Sequence, residues 1–477
     1  MVVLLAGCGG GHRRRVAPPV PEPRVVTIVQ DDAEFLHYPP ARMAPELDDL
    51  RGLGVTWVRV TAGWSIIAPE PDATRKPKFD ASDPDAYAPG AWDRLDRLVR
   101  MAQARGLGVD IDIAFWAPRW AVSRGTPDPT RQRYGIDPAM YADFAEAVAR
   151  RYPTARAFTV WNEPNLSTFW LPEWRRSGGR WVAAAPHDYR AMVQAAVPRI
   201  KAAAPHALAL IGGLSSLGEA QGHAEDDRIA PLTFLREMAC VDRDLKPLDT
   251  PDCRDFKPLP GDGWAHHPYS SSLTPWDHDP NPDTARIGDV DRLSTLLDQL
   301  HAAGRTVNPL PLYITEYGYQ TNPPDPTWDV SLADQARWLA EAERIARADP
   351  DVRSVAQFLL RDVPPQPGPS PAVRWRDFQS GLRFADGRAK PAHDAYRLPL
   401  VARRADDGHV EFWGLVRPGT GVRSAQVEVR GASGWSVLAP VTTAEDGTFT
   451  VMVATDPGGT FRLVSGGAAG ATLVGAR

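Results

Sequence analysis

The chain has 477 residues, more than one ordinary domain, and this length suits a large domain with a small appendage. Hydrophobic residues make up 43% of the sequence, enough for a large core, and the net charge of −5 gives no basic surface for nucleic acid. Size and composition therefore favour an exported enzyme over a binding module.

Residues 1–24 are typical of a leader followed by a tether. Residues 5–8, Leu-Ala-Gly-Cys, resemble a bacterial lipoprotein box, in which Cys8 would be lipidated and would attach the protein to a membrane. Residues 9–24 are rich in glycine, arginine and proline, as in a link to the cell envelope. Few residues precede the box, which leaves two alternatives, a true start further upstream or a chance match. We expect an extracytoplasmic protein, either an envelope lipoprotein or a secreted one.

Residues 25–400 alternate short β-rich runs with amphipathic helical stretches. Asp137 before Pro138 predicts the start of one helix, and Ser331 predicts the start of another. The predicted strands are residues 25–29, 56–60, 109–113, 157–160, 207–211, 264–267, 312–315 and 355–359. Eight strands alternating with helices predict an α/β fold, a parallel (β/α)8 TIM barrel. Its active site belongs at the carboxyl ends of the strands.

Two cysteines within the barrel segment agree with export. Cys240 and Cys253 flank a loop rich in proline and aspartate and are expected to close it as a disulfide, the alternative being two free thiols. Neither belongs to a Cys-x-x-Cys or histidine-containing metal pattern. No metal site is therefore expected.

Residues 401–477 change character. Short alternating strands at 410–416, 425–429, 435–438, 449–453 and 461–464 are separated by glycine and aspartate turns. This pattern predicts a small β-sandwich. Trp413 and Trp435 fit its core better than a sugar-stacking platform.

Two motifs carry the functional prediction. Residues 161–165, Trp-Asn-Glu-Pro-Asn, follow the fourth strand, and residues 312–318, Leu-Tyr-Ile-Thr-Glu-Tyr-Gly, contain the seventh. Each places one glutamate, Glu163 or Glu316, where a strand ends. Hydrolysis of a glycosidic bond needs two such carboxyl groups, one to protonate the leaving oxygen and one to attack the anomeric carbon or activate water.

These motifs resemble those of clan A of the retaining glycoside hydrolases, in particular family 39 and the cellulase-like members of family 5. The resemblance covers residues 25–400. It implies that Glu163 is the acid/base and Glu316 the nucleophile, with carboxyl groups roughly 5 Å apart. No cofactor is implied.

The same resemblance assigns further residues to the substrate site. Arg59, at the end of the second strand, is expected to hold the nucleophile, and Tyr269 to donate a hydrogen bond to it. His267 is a neighbouring polar residue, and Asn162 is placed to bond the 2-hydroxyl of the substrate.

Aromatic residues near the strand ends are candidates for stacking on sugars. Trp116 and Trp170 follow the third and fourth strands, although either could pack under a loop instead. The eighth strand lacks the tryptophan that many clan members carry beneath the reacting sugar. Phe358, or a residue near Trp375, is expected to take its place.

The leading hypothesis is a retaining β-glycosidase that cuts a poly- or oligosaccharide at the cell envelope by double displacement. The alternative is a surface barrel that binds glycan without cutting it. Such a barrel should have lost one carboxylate, whereas this chain keeps Glu163 and Glu316. The sequence around His266 and His267 shows no acidic partners for a metal, and no glycine-rich phosphate loop follows Glu316.

Overall fold

The computed structural model describes residues 23–477 apart from residues 127, 129, 406 and 407. The predicted lipidation site, Cys8, lies outside the described residues. Among the helices that the structure describes, none is long and apolar enough to cross a membrane.

Eight parallel strands close into a barrel in chain order, which confirms the predicted TIM barrel. Each strand pairs with its neighbours in sequence, and the first pairs with the last. The strands are β1 Val26–Gln30, β2 Trp57–Gly63, β3 Gly108–Ala114, β4 Ala157–Val160, β5 Leu208–Ser215, β6 Gly263–His267, β7 Leu312–Ile314 and β8 Val352–Phe358.

An outer layer of helices covers the barrel. Asp137 accepts hydrogen bonds from the backbone N–H groups of Ala139 and Met140, and Ser331 accepts one from Asp334, so both predicted helix starts are confirmed. The helices are α1 Pro40–Gly52, α2 Asp93–Gln103, α3 Pro138–Arg151, α4 Ala185–Ala203, α5 Pro231–Met238, α6 Val290–Ala302, α7 Leu332–Ala348 and α8 Pro391–Arg397.

Several smaller elements decorate the loops after the strands. One hairpin pairs Val122–Arg124 with Tyr134–Ile136 after β3, and another pairs Trp174–Ser177 with Arg180–Ala183 after β4. Single helical turns occur at Trp64–Ile67 and Pro371–Arg374. Each of these pieces follows a barrel strand, so each belongs to the carboxyl-end side of the barrel.

The interior of the barrel has an apolar part and a polar part. Inward-facing residues of the strands form a separate apolar cluster that includes Ile28, Leu210 and Ala356. Nearer the carboxyl ends of β2 and β3, charged residues are buried instead, among them Arg59 and Asp112. Active sites of TIM barrels lie at the carboxyl ends of the strands, so this buried charged layer indicates where the active site is.

The chain enters the barrel from the opposite face. The described part begins at Pro23, and β1 starts three residues later at the amino-end mouth. The guanidinium of Arg24 donates a hydrogen bond to the carbonyl oxygen of Arg347 at 2.7 Å, near the end of α7. The entry point of the chain is therefore fixed on the face opposite the carboxyl ends of the strands.

Two antiparallel sheets follow the barrel, as predicted. Phe412, Val427 and Phe461 belong to one hydrophobic core between the sheets. The first sheet contains β9 Leu400–Arg404, β10 His409–Leu415 and β13 Thr448–Ala454; the second contains β11 Ser424–Gly431, β12 Gly434–Thr442, β14 Thr460–Ser465, β15 Ala468–Ala469 and β16 Leu473–Val474.

The sheets pack against α7 of the barrel. Trp413 is buried, 8% exposed, and clusters with Leu415 and with Ala340 of α7. Arg417 forms a buried bidentate ion pair with Glu343 of the same helix, at 3.0 and 2.8 Å. Trp413 is thus part of this interface and is not available as a sugar-stacking platform.

The structure contains the predicted disulfide between Cys240 and Cys253. It closes the loop that follows α5, and His187 of α4 lies beside it. Because both sulfurs are bonded to each other, these residues do not form a metal site.

Candidate active site

The two candidate glutamates face each other across the carboxyl-end mouth. One carboxylate oxygen of Glu163, one of Glu316 and a ring nitrogen of His267 all lie within 4.8 Å of one another. The side chains of Glu163 and Glu316 are 12% and 10% exposed. A substrate bond can reach both carboxyl groups, while bulk water has little access to them.

The backbone that carries Glu163 is strained and firmly held. Trp161 and Glu163 both adopt positive φ angles, 64° and 40°, which side-chain-bearing residues rarely do. The Glu163 N–H donates to the Gly213 carbonyl at 2.9 Å, and the Trp161 N–H donates to the Tyr141 hydroxyl at 3.1 Å. The side chain of Asn165 ties the same turn to Ser215 and Ile229. These contacts aim Glu163 into the mouth.

Glu316 is placed to stay ionised. Arg59 donates to its Oε1 at 2.7 Å, and the Tyr269 hydroxyl donates to its Oε2 at 3.2 Å. Burial alone would raise the pKa of Glu316, but the charges of His267 and Arg59 and these hydrogen bonds outweigh it and lower the pKa below its usual value.

Glu163 has the opposite tendency. Burial raises its pKa above the usual value, and the negative charge of Glu316 adds to that effect. A hydrogen bond between His267 Nδ1 and Glu163 Oε1, 3.0 Å apart, acts in the other direction. The surroundings push the pKa values of the two glutamates apart, as an acid and a nucleophile need.

Arg59 and His267 act through the two glutamates. The side chains of both are 0% exposed, and neither lines the cavity between the glutamates, so they contact the carboxyl groups from beneath. Arg59 holds Glu316, as expected. Arg59 also donates to Gln30 Oε1. Asn162 is buried to 4% exposure, and its Oδ1 lies 3.5 Å from Arg59 Nη2.

Further residues complete the support of Arg59. Its Nε is 3.5 Å from Asp110 Oδ2, and its Nη2 is 3.2 Å from Asp112 Oδ2. Neither aspartate was among the residues predicted for the site. Their signal was present, because two charges at alternate positions of an apolar strand must face the same side.

A cavity of about 430 Å³ occupies the mouth. Its wall contains Asn162, Glu163, Tyr269 and Glu316 together with Asp32 and five aromatic residues, Phe115, Phe169, Trp328, Phe358 and Phe378. A second cavity of about 200 Å³ shares Asp32 and Phe115 with the first. The two cavities therefore adjoin, and the cleft continues past the glutamates.

The predictions for the aromatic residues have mixed outcomes. Trp170 is 1% exposed, with its ring edge-on to Trp161 at 5.9 Å, so the expectation that it binds sugar is wrong. Trp116 is half-buried and lies nearly parallel to Phe169, with 6.3 Å between ring centroids. Its role stays a prediction. Phe358 lines the cavity beside Tyr269, and so does Phe378, three residues after Trp375, with its ring edge-on to Phe358 at 5.2 Å.

The spacing of Glu163, His267 and Glu316 would also allow a metal ion. The oxygens of Glu316, however, already accept hydrogen bonds from Arg59 and Tyr269. A guanidinium at 2.7 Å opposes a second cation at the same carboxylate. Glu163, His267 and Glu316 therefore fit an acid and a nucleophile better than a metal centre. The expected absence of a metal stays a prediction.

Comparison with known proteins places this geometry in a family. Residues 34–347 match the family model for cellulase, glycosyl hydrolase family 5. A family 39 glycoside hydrolase from the gut symbiont Bacteroides cellulosilyticus WH2 is similar in structure, with 15% identity over 91% of this chain and 81% of that chain and a TM-score of 0.53. No curated protein matches the chain.

Two other solved structures are similar at lower TM-scores. GH5_18 from Streptomyces cattleya, in complex with GlcNAc, has 17% identity over 79% of each chain and a TM-score of 0.49. A GH30 endoxylanase from Clostridium papyrosolvens C71 has 11% identity over 91% of this chain and 95% of that chain, with a TM-score of 0.46. At 15% identity the likeness to the family 39 enzyme shows the fold alone, and the two lower TM-scores add nothing to it. The family match spans well over half of the chain and includes both glutamates. The chain therefore belongs to the cellulase family, glycosyl hydrolase family 5, and is a glycosidase with a clan A barrel.

Proposed function

We propose that this glycosidase cleaves β-glycosidic bonds of a poly- or oligosaccharide with retention of anomeric configuration. The observation that carries the proposal is the proximity of Glu163 and Glu316, which have carboxylate oxygens within 4.8 Å of each other. Retaining pairs lie about 5 Å apart, whereas inverting pairs need about 6.5–9.5 Å to admit a water between them.

In the first step Glu163 gives its proton to the leaving glycosidic oxygen while Glu316 attacks the anomeric carbon. The glycosidic bond breaks and an ester forms between the sugar and Glu316. The opposite pKa shifts of the two groups supply the required protonation states. Asn162, beside Glu163 in the cavity wall, is placed to bond the 2-hydroxyl of the reacting sugar.

In the second step water attacks the anomeric carbon and releases Glu316. Glu163 now takes a proton from that water. The negative charge of Glu316 raises the pKa of Glu163 in the free enzyme, and the ester removes that charge. The pKa of Glu163 therefore falls when the group must change from acid to base.

The adjoining cavities favour an extended substrate. The second cavity lies beyond Asp32 and Phe115, and Ile66 in its wall is 68% exposed. A sugar bound above Glu316 would leave that space for a neighbouring unit of the same chain. We therefore infer a substrate of more than one sugar.

The envelope location is a separate proposal. The lipoprotein box around Cys8 and the disulfide between Cys240 and Cys253, which persists in oxidising compartments, both support it. Incorporation of labelled palmitate into the wild type, and its loss in Cys8→Ser, would test the attachment. Equal labelling of both proteins would contradict it.

The enzymatic proposal is tested by reducing-sugar release from a panel of β-linked polysaccharides and aryl β-glycosides. We expect release by the wild type and by Glu445→Gln, a matched change at an exposed glutamate of the C-terminal sheets, but not by Glu316→Gln. Proton NMR of the first product should show the retained anomer.

Three outcomes would contradict the proposal. Equal activity of Glu316→Gln would remove Glu316 from the mechanism, and an inverted first product would exclude the double displacement. Glycan binding without release by the wild type would favour the non-catalytic barrel.

A further inference from the structure

A buried pair of aspartates lies beneath the proposed nucleophile. Asp110 and Asp112 occupy alternate positions of β3, and the side chains of both are 0% exposed. The guanidinium of Arg59 reaches Asp110 at 3.5 Å, Asp112 at 3.2 Å and Glu316 at 2.7 Å. One cation is therefore shared among three carboxyl groups, of which only Glu316 borders the substrate cavity.

We propose that Asp112, together with Asp110, takes over the positive charge of Arg59 while Glu316 is bound to the sugar. The two aspartates are then positioning residues for the retaining mechanism. This inference rests on the proposed function, because it concerns the ester formed at Glu316.

In the free enzyme the charge of Arg59 is balanced by that of Glu316. Arg59 is fully buried and cannot lose its proton under physiological conditions. The negative charge of Glu316 compensates it until the ester forms. An uncompensated buried cation is strongly unfavourable, so the intermediate needs another counter-charge within reach. Asp110 and Asp112 are the carboxyl groups already in contact with the same guanidinium.

The surroundings of Asp112 suit a change of charge. Among the described residues, neither carboxyl oxygen of Asp112 has a hydrogen-bond partner, whereas Asp110 accepts a bond from the Thr159 hydroxyl at 3.1 Å. Asp112 is therefore held mainly by its ion pair with Arg59. A carboxyl group that served packing alone would be better replaced by an apolar side chain.

The ionisation of Asp112 is balanced near neutral pH. Burial raises its pKa to about 7, the positive charge of Arg59 opposes that rise, and the negative charges of Asp110 and Glu316 reinforce it. The charged or titratable groups that face it are Arg59 on β2, Asp110 on β3, His267 on β6, Glu316 after β7, and the phenols of Tyr141 on α3 and Tyr189 on α4.

Loss of the charge on Glu316 should therefore favour ionised Asp112. Ester formation removes the negative charge of Glu316, which bonds Arg59 directly. Glu163 becomes negative in the same step, but its carboxylate does not bond Arg59, so more of the Arg59 charge is left for Asp112. Asp112 then releases its proton to solvent, and the buried site keeps a compensated cation. The reverse change accompanies release of the sugar.

The test is an NMR titration of ¹³C-labelled aspartate carboxyl groups in the full chain, with Asp112 assigned by Asp112→Asn. Glu316→Gln stands in for the intermediate, because its neutral amide replaces the charge as the ester does. We expect the Asp112 pKa to fall by about one unit or more in Glu316→Gln. The matched control, Glu163→Gln, changes a glutamate of the same cavity that does not bond Arg59 and should leave the pKa near its wild-type value.

An unchanged Asp112 pKa in folded Glu316→Gln, or an equal fall in Glu163→Gln, would overturn the proposal. A second measurement concerns rate. Asp112→Asn should lower kcat/KM by about tenfold, which corresponds to one pKa unit, relative to the exposed control Asp291→Asn on α6. A kcat/KM equal to that of the control, or loss of the fold, would assign Asp112 to structure alone.

These measurements separate the two proposals. If the wild type cleaves none of the panel substrates, the proposed function fails. The titration still decides whether Asp112 responds to the charge on Glu316.

Discussion

Replacing Arg417 by methionine should loosen the C-terminal sheets from the barrel. Arg417 and Glu343 are each 4% exposed at this interface. The guanidinium makes two hydrogen bonds to Glu343, at 3.0 and 2.8 Å. It makes two more to the Tyr396 carbonyl, that from Nε at 2.9 Å and the other from Nη2. Arg417→Met would remove all four and leave a buried carboxylate with fewer partners.

The expected loss follows from the burial of this pair. Removing one partner of a buried ion pair costs about 3–5 kcal/mol, because the other charge is left uncompensated. Glu343 keeps one neighbour, the Arg347 Nε at 2.9 Å, whose side chain is 10% exposed. We therefore expect a loss at the lower end of this range, about 3 kcal/mol. This loss shifts the equilibrium between docked and released sheets roughly a hundredfold toward the released state.

Urea unfolding measures this loss through circular dichroism and tryptophan fluorescence, to which the buried interface residue Trp413 contributes. Arg417→Met should unfold its C-terminal sheets at lower urea than the wild type. The exposed control Arg430→Met should change stability by less than about 0.5 kcal/mol. Replacing Glu343 by methionine as well should recover most of the loss.

The loss should also depend on pH. Burial would raise the pKa of Glu343, but Arg417 and Arg347 lower it below its ordinary 4.5. The pair therefore stabilises the fold fully above pH 4.5, and this contribution disappears as the pH falls through the lowered value. The difference between Arg417→Met and the wild type should shrink in acid. Equal stability of Arg417→Met and Arg430→Met at neutral pH would refute the reasoning.

Three further predictions concern single residues. Glu173 is 0% exposed, and neither of its carboxyl oxygens has a hydrogen-bond partner among the described residues. Burial raises its pKa well above 4.5. Ionising this carboxyl group in the folded protein therefore costs stability, increasingly so as the pH rises above 4.5. Glu173→Met should stabilise the protein by about 1–3 kcal/mol at pH 8 and little at pH 4 in thermal unfolding; equal gains would contradict this. Trp170→Ala should lower the unfolding free energy by about 3–5 kcal/mol, because Trp170 is a packing residue. Trp116→Ala should leave stability unchanged and raise KM roughly fivefold, because Trp116 is expected to stack on a sugar. The reverse pattern would make Trp170 the sugar-binding residue and Trp116 the packing residue. Ile66→Trp should raise KM for an oligosaccharide but not for an aryl glycoside of one sugar, and an equal effect on both would argue against the second cavity as a binding site.

The sequence predicted the barrel because its strands carry strong local signals. Buried β-branched runs, capping residues such as Asp137, and glycines after helices mark each unit without knowledge of the rest of the chain. Glu163 and Glu316 were identifiable for the same reason, since each directly follows a strand. The left-handed backbone at Trp161 and Glu163 was not identifiable from the sequence, because packing against the neighbouring strands imposes it.

Other features depend on contacts between distant segments. The sequence of β3 shows that Asp110 and Asp112 share a face, but only closure of the barrel brings that face against Arg59. Trp170 belongs to a loop, and its ring packs edge-on against Trp161 and Tyr189, so these contacts set the direction of the loop. The hairpin strands after β3 have three residues each, too few for a periodic pattern.

The entry of the chain at the amino-end mouth has a practical consequence. The Pro23 end of the described chain leaves the barrel on the face opposite the cleft. An enzyme coupled to a resin bead through that end would hold its cleft toward the flowing liquid, where long polymers can enter. Immobilisation through the N-terminus should therefore keep the solution KM for a soluble polymer, whereas random coupling through surface lysines should raise it.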